Sequence, residues 1–176
     1  MKKLLLSVTI LSLGILSATA QKESTDLDKS FRVSVGLIGA LPTGDLKTFN
    51  NFGIGGSIQG EAKVAPELGL TLSVDYISFS GKTFTESGTS FKSPTLNLVP
   101  ILAGGRYYLG GGAYLSAQLG VTIASATGFT SSSSFTYAPG IGYYLSPNFD
   151  LLLKYQAASK SGSTLSFVGL RAAYNF

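Results

Sequence analysis

The sequence has no cysteine, no histidine and no tryptophan among its 176 residues, and it has a single methionine. Without cysteine, the chain can form no disulfide, can carry no thiolate nucleophile and can take no lipid on a cysteine. Without histidine, it lacks the side chain that most readily transfers protons near neutral pH. Both absences exclude metal sites built on thiolate or imidazole ligands. We therefore predict a non-enzymatic protein without metal or cofactor.

Charge is also scarce, because Asp, Glu, Lys and Arg make up only 12% of the chain. The 13 basic residues include Lys2 and Lys3 in the N-terminal segment, which leaves 13 − 2 = 11 basic against 9 acidic residues once that segment is removed. A net charge of +2, scattered along the chain, is too weak for a nucleic-acid surface. We expect no nucleic-acid partner.

The N-terminal segment reads as a cleaved signal peptide, residues 1–20. Lys2 and Lys3 form its basic start, residues 4–16 form its apolar centre, and Ala18 and Ala20 form a small-residue cleavage site. The apolar run is shorter than a membrane helix needs. We divide the rest into a short N-terminal segment, residues 21–30, and one domain, residues 31–176.

In that domain apolar and polar residues alternate with period two, which predicts β-strands. Eight segments follow this pattern: 31–41, 53–64, 67–77, 95–108, 113–123, 135–145, 149–157 and 166–176. Long and short links alternate strictly between them, which favours an up-and-down meander whose two ends face different compartments.

The fourth segment is less regular than the others. Apolar residues on both faces blur its phase around Pro100, and proline cannot donate to a strand ladder. We expect a bulge or a lipid-edge irregularity there. The side on which Arg106 lies stays unassigned.

The two faces of the strands predict a membrane barrel. Leu, Val, Ile, Phe and Tyr fill one face, whereas Gly, small polar residues and nearly balanced charges fill the other, as expected for lipid outside and a narrow lumen inside. Charges enclosed there must pair, because each unpaired buried charge destabilises the fold by several kcal/mol. The predicted structural charge network of the lumen comprises Glu61, Lys63, Asp75, Asp150, Lys154 and Arg171.

Tyrosines stand at the strand ends beside the short turns. We interpret them as an aromatic girdle at the membrane interface, with each ring in the apolar edge and each hydroxyl among headgroups. The residues concerned are Tyr107, Tyr108, Tyr143, Tyr144 and Tyr174.

The hairpins "RYYLGGGAYLSAQLGV" and "PGIGYYLSPNFDLLLKY" and the closing "LRAAYNF" resemble the small bacterial outer-membrane barrels of the OmpA/OmpX type. The resemblance implies an all-β, eight-stranded antiparallel transmembrane barrel in the outer membrane, reached by export. It also implies that Tyr174 and Phe176 form a signal for the outer-membrane assembly machinery, and that deleting Phe176 impairs assembly. Implied partners are outer-membrane lipid and lipopolysaccharide, the assembly machinery and periplasmic chaperones, and we expect a monomer.

The function predicted from the sequence is a role in envelope integrity or in surface contact through the extracellular loops. Two alternatives stay open. One is a lipid-modifying barrel enzyme, with Glu61 or Asp75 as a base near a lumen serine. The other is a soluble, ligand-binding barrel of the lipocalin type, which requires the Leu and Val faces to point inward.

Overall fold

The computed structural model of the protein describes residues 31–86, 89–126 and 130–176. The predicted signal peptide, residues 1–20, and the predicted segment 21–30 lie outside the described residues. Parts of two predicted long loops, residues 87–88 and 127–129, also lie outside them.

Ten strands and one short helix make up this part of the chain. In order they are β1 (Phe31–Thr43), α1 (Gly44–Phe49), β2 (Asn50–Ala65), β3 (Leu68–Gly81), β4 (Thr83–Glu86), β5 (Thr89–Lys92), β6 (Leu96–Gly110), β7 (Ala113–Ala126), β8 (Ser132–Ser146), β9 (Phe149–Lys160) and β10 (Ser163–Asn175). The long strands form where hydrophobicity alternates with period two, because successive side chains point to opposite faces of a strand.

Eight strands close into an antiparallel barrel in the order β1, β2, β3, β6, β7, β8, β9, β10, and β10 pairs back with β1. This confirms the predicted eight-stranded barrel. The closing pair runs from Ser34 opposite Asn175 to Thr43 opposite Ser166. The backbone N–H of Phe176 extends it by donating to Val33 O over 2.9 Å. Closure pairs each strand of the barrel on both sides, which a sheet in lipid requires.

Two of the predicted long loops contain secondary structure that the sequence analysis did not anticipate. The link from β1 to β2 forms α1, and the link from β3 to β6 forms the β4–β5 hairpin. Backbone hydrogen bonds connect the two elements at Lys82, the residue that follows β3: its N–H donates to Phe49 O over 2.9 Å, and the N–H of Ser93 donates to Lys82 O over 2.8 Å. Helix α1 has six residues, and no helix in the described ranges is long and apolar enough to cross a membrane.

The short turns after β2, β6 and β8 lie at the opposite end of the barrel from α1 and the hairpin. The predicted strict alternation of long and short links is wrong for the last link, because β9 and β10 are joined by a two-residue turn at the same end as α1. Between β6 and β7, Gly110, Gly111 and Gly112 have φ values of 88°, 61° and 90°. Side chains disfavour this left-handed region, so three consecutive glycines permit a turn that other residues would strain. In outer-membrane barrels the short turns face the periplasm and the long loops face outward.

The expected bulge at Pro100 is absent, and the irregularity there is an interrupted pairing with β3. Strand β6 keeps a constant register with β7 past the proline, and its register with β3 is the same before and after it, with Val74 opposite Ile101 and Ile77 opposite Leu98. The pairing with β3 is interrupted at Pro100 without a shift, because proline has no N–H to donate. The phase of β6 is therefore regular, and it places Arg106 in the lumen, where it is 1% exposed.

The two faces of the barrel wall show which side meets lipid. Large apolar side chains are exposed on the outside, among them Leu37, Ile54, Leu72, Leu119, Ile141, Leu153 and Leu170. Polar and charged side chains are buried on the inside, among them Gln59, Thr71, Gln118, Thr136 and Gln156. The soluble, lipocalin-like alternative is therefore wrong, because it requires the Leu and Val faces to point inward.

Candidate functional site

The lumen half near the short turns contains a cluster of buried charges, which we call the charged half. Three acids and three bases meet there, so their formal charges cancel. Each lies on the inward face of a strand and is almost fully buried. The six residues are Glu61, Asp75, Arg106, Asp150, Lys154 and Arg171.

Arg106 joins two carboxylates that lie on different strands. Its Nη1 is 3.1 Å from Oε2 of Glu61, and its Nη2 is 3.5 Å from Oδ2 of Asp150. Asp150 also receives Arg171, whose Nη1 is 3.6 Å from Oδ1. These contacts link β2, β6, β9 and β10 across the lumen, and they offset the cost of removing the charges from water.

A second ion pair crosses the lumen beside the first group. Nζ of Lys154 is 2.7 Å from Oδ2 of Asp75. Serine hydroxyls also bind Arg171, whose Nε donates to Oγ of Ser57 and whose Nη2 donates to Oγ of Ser34, each over 2.7 Å. The buried guanidinium is thereby bound by both charged and neutral acceptors.

Three tyrosine rings close the charged half towards the short turns. The ring centroids of Tyr108, Tyr114 and Tyr144 are 6.1, 6.2 and 5.4 Å apart, at tilted angles. The guanidinium of Arg106 lies 4.4 Å from the centroid of Tyr114, and that of Arg32 lies 5.3 Å from the centroid of Tyr144. Cations over aromatic faces are attracted by the ring quadrupole, so these contacts stabilise the cluster. We call the three tyrosine rings the aromatic plug.

Tyrosine hydroxyls also satisfy the buried carboxylates. Tyr108 OH donates to Glu61, and Tyr114 OH donates to Asp150. Gly142 on the neighbouring strand makes room for the second contact, because a Cβ there would collide with the ring of Tyr114. The glycine-rich inward face therefore creates the space that the aromatic plug fills.

Five of the six residues predicted for the lumen network come together, and Lys63 does not. Lys63 is exposed near the end of β2, with its Nζ 4.8 Å from the ring centroid of Tyr108. At the rim its ammonium group stays hydrated, so it has no need of a buried carboxylate. Arg106, which the sequence analysis left unassigned, pairs with Glu61 instead.

The sequence contains a weak signal for Arg106. It shares its phase with Leu98, Pro100 and Leu102, which are all buried in the lumen. Because those residues are apolar, as are Val99 and Ile101 on the other face, the sequence alone does not show which face of β6 points inward. The charge balance gives a second signal. With Lys63 at the rim, Lys154 and Arg171 are two cations for three lumen carboxylates, so a third cation is needed.

The expected tyrosine girdle is only partly correct. Tyr107, Tyr143 and Tyr174 lie outside, about half exposed, where an interfacial girdle belongs. Tyr108 and Tyr144 turn into the lumen and contact the charged half. Neighbouring residues of a strand point to opposite faces, so each Tyr–Tyr pair divides between the two roles.

The lumen half near α1 and the hairpin contains apolar side chains, and we call it the apolar half. Phe79 and Phe167 pack there with their centroids 5.5 Å apart, and Leu46 of α1 is buried against them at 2% exposure. Helix α1 thus contributes a side chain that closes this end. The buried members are Ile38, Ala40, Leu46, Ile77, Phe79, Leu98 and Phe167.

The arrangement offers little to a metal or to an acid–base reaction. In the described ranges, no three acidic side chains group so that they could hold a metal ion. Glu61 and Asp75, the bases considered for a lipid-modifying enzyme, are both bound in ion pairs inside the lumen. The ion pairs and aromatic rings of this site fill the interior of the barrel.

Comparison with known protein families agrees with this geometry. The family model for the outer membrane protein β-barrel domain matches residues 8–176. The chain belongs to this family. It is an integral outer-membrane β-barrel protein, in agreement with the apolar outer face, the polar inner face and the closed sheet of the barrel. No curated protein matches the sequence.

Solved structures of outer-membrane barrels share the fold at low sequence identity. The attachment invasion locus protein Ail of Yersinia pestis is 18% identical, with a TM-score of 0.60 over 84% of this chain and 99% of that one. Neisserial surface protein A is 20% identical, with a TM-score of 0.53 over 82% of this chain and 95% of that one. The N-terminal barrel of Pseudomonas aeruginosa OprF is 16% identical, with a TM-score of 0.50 over 82% and 97%.

Proposed function

We propose that this outer-membrane barrel is a non-enzymatic surface-contact protein, which presents structured external elements on a closed, non-conducting scaffold. The observation that supports this most is the double closure of the lumen. Ion pairs and tyrosine rings fill one half, while phenylalanine and leucine side chains fill the other. An eight-stranded barrel has an interior that side chains can just fill.

Conductance across a planar lipid bilayer tests the closed scaffold. We expect no steady single-channel current from the inserted wild-type barrel. As a comparison, the Phe79→Ala/Phe167→Ala variant removes the two largest side chains of the apolar half without touching the ion pairs. Sustained ion flow through the wild-type protein would contradict the proposal.

The external elements support the surface role. Phe49 of α1 and Phe84 of β4 are 57% and 42% exposed, and their rings meet edge to face at 6.5 Å. Lys82 joins the two elements, because its backbone N–H bonds to Phe49 O and its Nζ donates to Lys47 O over 2.5 Å. Exposed aromatic side chains held on a fixed support are suited to contact with another surface.

Replacement of residues 83–92 by a short Gly-Ser turn tests this role. We expect the barrel to insert normally and the attachment of whole cells to surfaces to fall. The Phe84→Ser variant is a second test, because it keeps the hairpin and removes only the aromatic contact with Phe49. Unchanged attachment in both variants, with normal insertion, would eliminate the surface-contact function.

The enzyme alternative has a direct test. Overexpression of the chain should leave the mass spectrum of lipid A unchanged, because the lumen carboxylates are already engaged in ion pairs. New acylated or deacylated species that vanish in a Glu61→Gln variant would instead establish a lipid-modifying activity.

Biogenesis is part of the same proposal. Tyr174 and Phe176 lie on the outer face, where Phe176 is 75% exposed, with ring centroids 5.0 Å apart. This placement supports a role as the signal read by the assembly machinery after delivery by periplasmic chaperones. Phe176→Ser should lower the inserted fraction, whereas the outward-facing control Phe149→Ser should lower it less. Equal insertion of both variants and the wild type would count against the signal.

A further inference from the structure

Two basic side chains lie at the mouth of the lumen, next to the aromatic plug. Arg32 is partly buried and Lys63 is exposed. The guanidinium of Arg32 lies 5.3 Å from the ring centroid of Tyr144, and Nζ of Lys63 lies 4.8 Å from that of Tyr108. Each cation therefore contacts one ring of the plug. We call these two cations and two rings the basic mouth.

The acids of the lumen do not neutralise the basic mouth. Arg32 is opposite Glu61 in the pairing of β1 with β2. Both oxygens of Glu61 are already bound, because Oε2 pairs with Arg106 at 3.1 Å and Oε1 accepts from Tyr108 OH. In the described ranges, neither Arg32 nor Lys63 forms an ion pair. The charged half is neutral by itself, so the two cations of the mouth stay uncompensated.

The other acids at this end of the described chain are engaged elsewhere or lie beside the mouth. Oε2 of Glu67 accepts from Tyr107 OH over 3.1 Å on the outer wall. The backbone of Phe176 lies next to β1, but its carboxylate forms no ion pair with either cation of the mouth. A guanidinium has five N–H donors and an ammonium has three. A cation that contacts a ring face keeps these donors for an anionic ligand.

The spacing of the two supporting rings suits an extended peptide. The ring centroids of Tyr108 and Tyr144 are 6.2 Å apart. In an extended chain, side chains two residues apart lie on the same side and are separated by about 6.6 Å, because each residue adds about 3.3 Å. Two carboxylates with one residue between them therefore match two cations on neighbouring rings, whereas a single small anion contacts one point.

The position of the mouth indicates where a ligand comes from. The short turns after β2, β6 and β8 surround it, and in outer-membrane barrels such turns face the periplasm. A partner must therefore reach it from the periplasm, and charge complementarity requires that this partner is acidic. The rings already restrain both cations, so less side-chain freedom is lost when a ligand binds.

We propose that the basic mouth binds an acidic peptide segment of a periplasmic partner, which presents two carboxylates with one residue between them. One carboxylate pairs with Arg32 and the other pairs with Lys63. Each pair at this hydrated rim should strengthen binding by about three- to five-fold, as exposed ion pairs do. The inference goes beyond the surface-contact role, because it concerns the opposite end of the barrel and requires only that the barrel is inserted.

Fluorescence anisotropy of rhodamine-labelled peptides measures this binding. The barrel is inserted in phosphatidylcholine nanodiscs, which expose both of its ends and whose lipid carries no net charge. The main probe is the peptide Ser-Glu-Ser-Glu-Ser. The spacing control, Ser-Ser-Glu-Glu-Ser, has the same composition, and the neutral control is Ser-Gln-Ser-Gln-Ser. Empty nanodiscs give the background.

We expect the main probe to bind most tightly. The spacing control should bind about three-fold more weakly, because adjacent side chains of an extended peptide point to opposite faces and one carboxylate loses its partner. Arg32→Gln and Lys63→Gln should each weaken binding of the main probe by about three- to five-fold. Lys82→Gln and Lys160→Gln, at the outer end of the barrel, are the matched controls and should leave it unchanged. Salt at about 0.5 M should abolish binding by screening.

Three outcomes would overturn the inference. If the neutral or the spacing control binds as tightly as the main probe, paired carboxylates are not recognised. If the outer-end controls weaken binding as much as the mouth variants do, the peptide follows net charge and has no site.

The third outcome concerns Asp26 and Asp28, which have the same spacing in the sequence and lie outside the described ranges. Binding that requires the Asp26→Asn/Asp28→Asn variant would mean that the chain's own N-terminal segment, and not a partner, occupies the mouth. Heat-modifiable gel mobility confirms a folded barrel for each variant. Attachment of whole cells is measured separately, so these outcomes are distinct from a failure of the proposed function.

Discussion

The two halves of the lumen are filled by opposite chemistry within one barrel. In the charged half, each side chain depends on partners from other strands, as Asp150 does on Arg106 and Arg171. In the apolar half, Phe79, Phe167 and Leu46 only need to fill space. The difference teaches that a narrow barrel can be closed either by directional ion pairs or by packing. The first is costly to break, and the second adapts to small changes.

The largest effect should come from removing the shared carboxylate of the charged half. Asp150→Asn leaves Arg171 without its ion pair and weakens the contacts of Arg106 and Tyr114. We expect the free energy of unfolding to fall by about 3–5 kcal/mol, as for other broken buried ion pairs. Denaturant unfolding in lipid vesicles measures the change. A loss below about 1 kcal/mol would mean that water already screens this cluster.

A smaller loss is expected in the apolar half. Leu46→Ala removes a buried side chain of α1, which should cost about 2–3 kcal/mol, near the low end for such truncations because a short helix can shift into the space. The same unfolding measurement applies. Asp45→Ala on the same helix is exposed and serves as the control, with an expected change within about 0.5 kcal/mol. Equal effects of the two variants would show that α1 does not close the lumen.

Gln156 lies at the boundary between the charged half and the apolar half of the lumen. It lies opposite Phe167, is fully buried, and neither atom of its amide group has a hydrogen-bond partner among the described residues. Gln156→Leu should therefore raise the free energy of unfolding by about 1–2 kcal/mol, because it removes an unsatisfied polar group. A loss of stability would indicate that buried water binds the amide and that the charged half extends to this level.

The smallest net effect should come from replacing a whole ion pair. Lys154→Met alone should cost about 3 kcal/mol, because it leaves Asp75 buried without its partner. The combined Lys154→Met/Asp75→Leu variant should lie within about 1 kcal/mol of the wild type. Oδ1 of Asp75 has no hydrogen-bond partner among the described residues, so the pair is already incompletely satisfied. A double variant as unstable as the single one would show that the pair itself stabilises the barrel.

Much of the architecture could be predicted from the sequence, because alternation with period two is a local property. It identified the eight barrel strands and the outward placement of residues such as Leu170 and Tyr174. Helix α1 and the β4–β5 hairpin were missed, because elements of six and four residues are too short to show a period. Burial of Leu46 among lumen side chains and the bond from Lys82 to Phe49 help to hold α1.

The candidate site was predictable only in part, because pairing depends on which strands face each other across the lumen. Glu61 was placed inside correctly, but its partner was not identifiable without the phase of β6 around Pro100. Lys63 alternates in the same way as Glu61, yet it lies at the rim. Alternation gives the face of a side chain and not its depth, and depth decides whether a charge meets water or another charge.

The sequence by itself determined the barrel class, the apolar outer face and polar inner face of the strands, and the charges and small residues of a narrow interior. These properties follow from the order of residue types along each strand. The closed tertiary structure alone decided that Arg106 joins Glu61 to Asp150 and that Leu46 closes the apolar half. Closure brings residues more than forty positions apart into contact, and no local pattern records that distance.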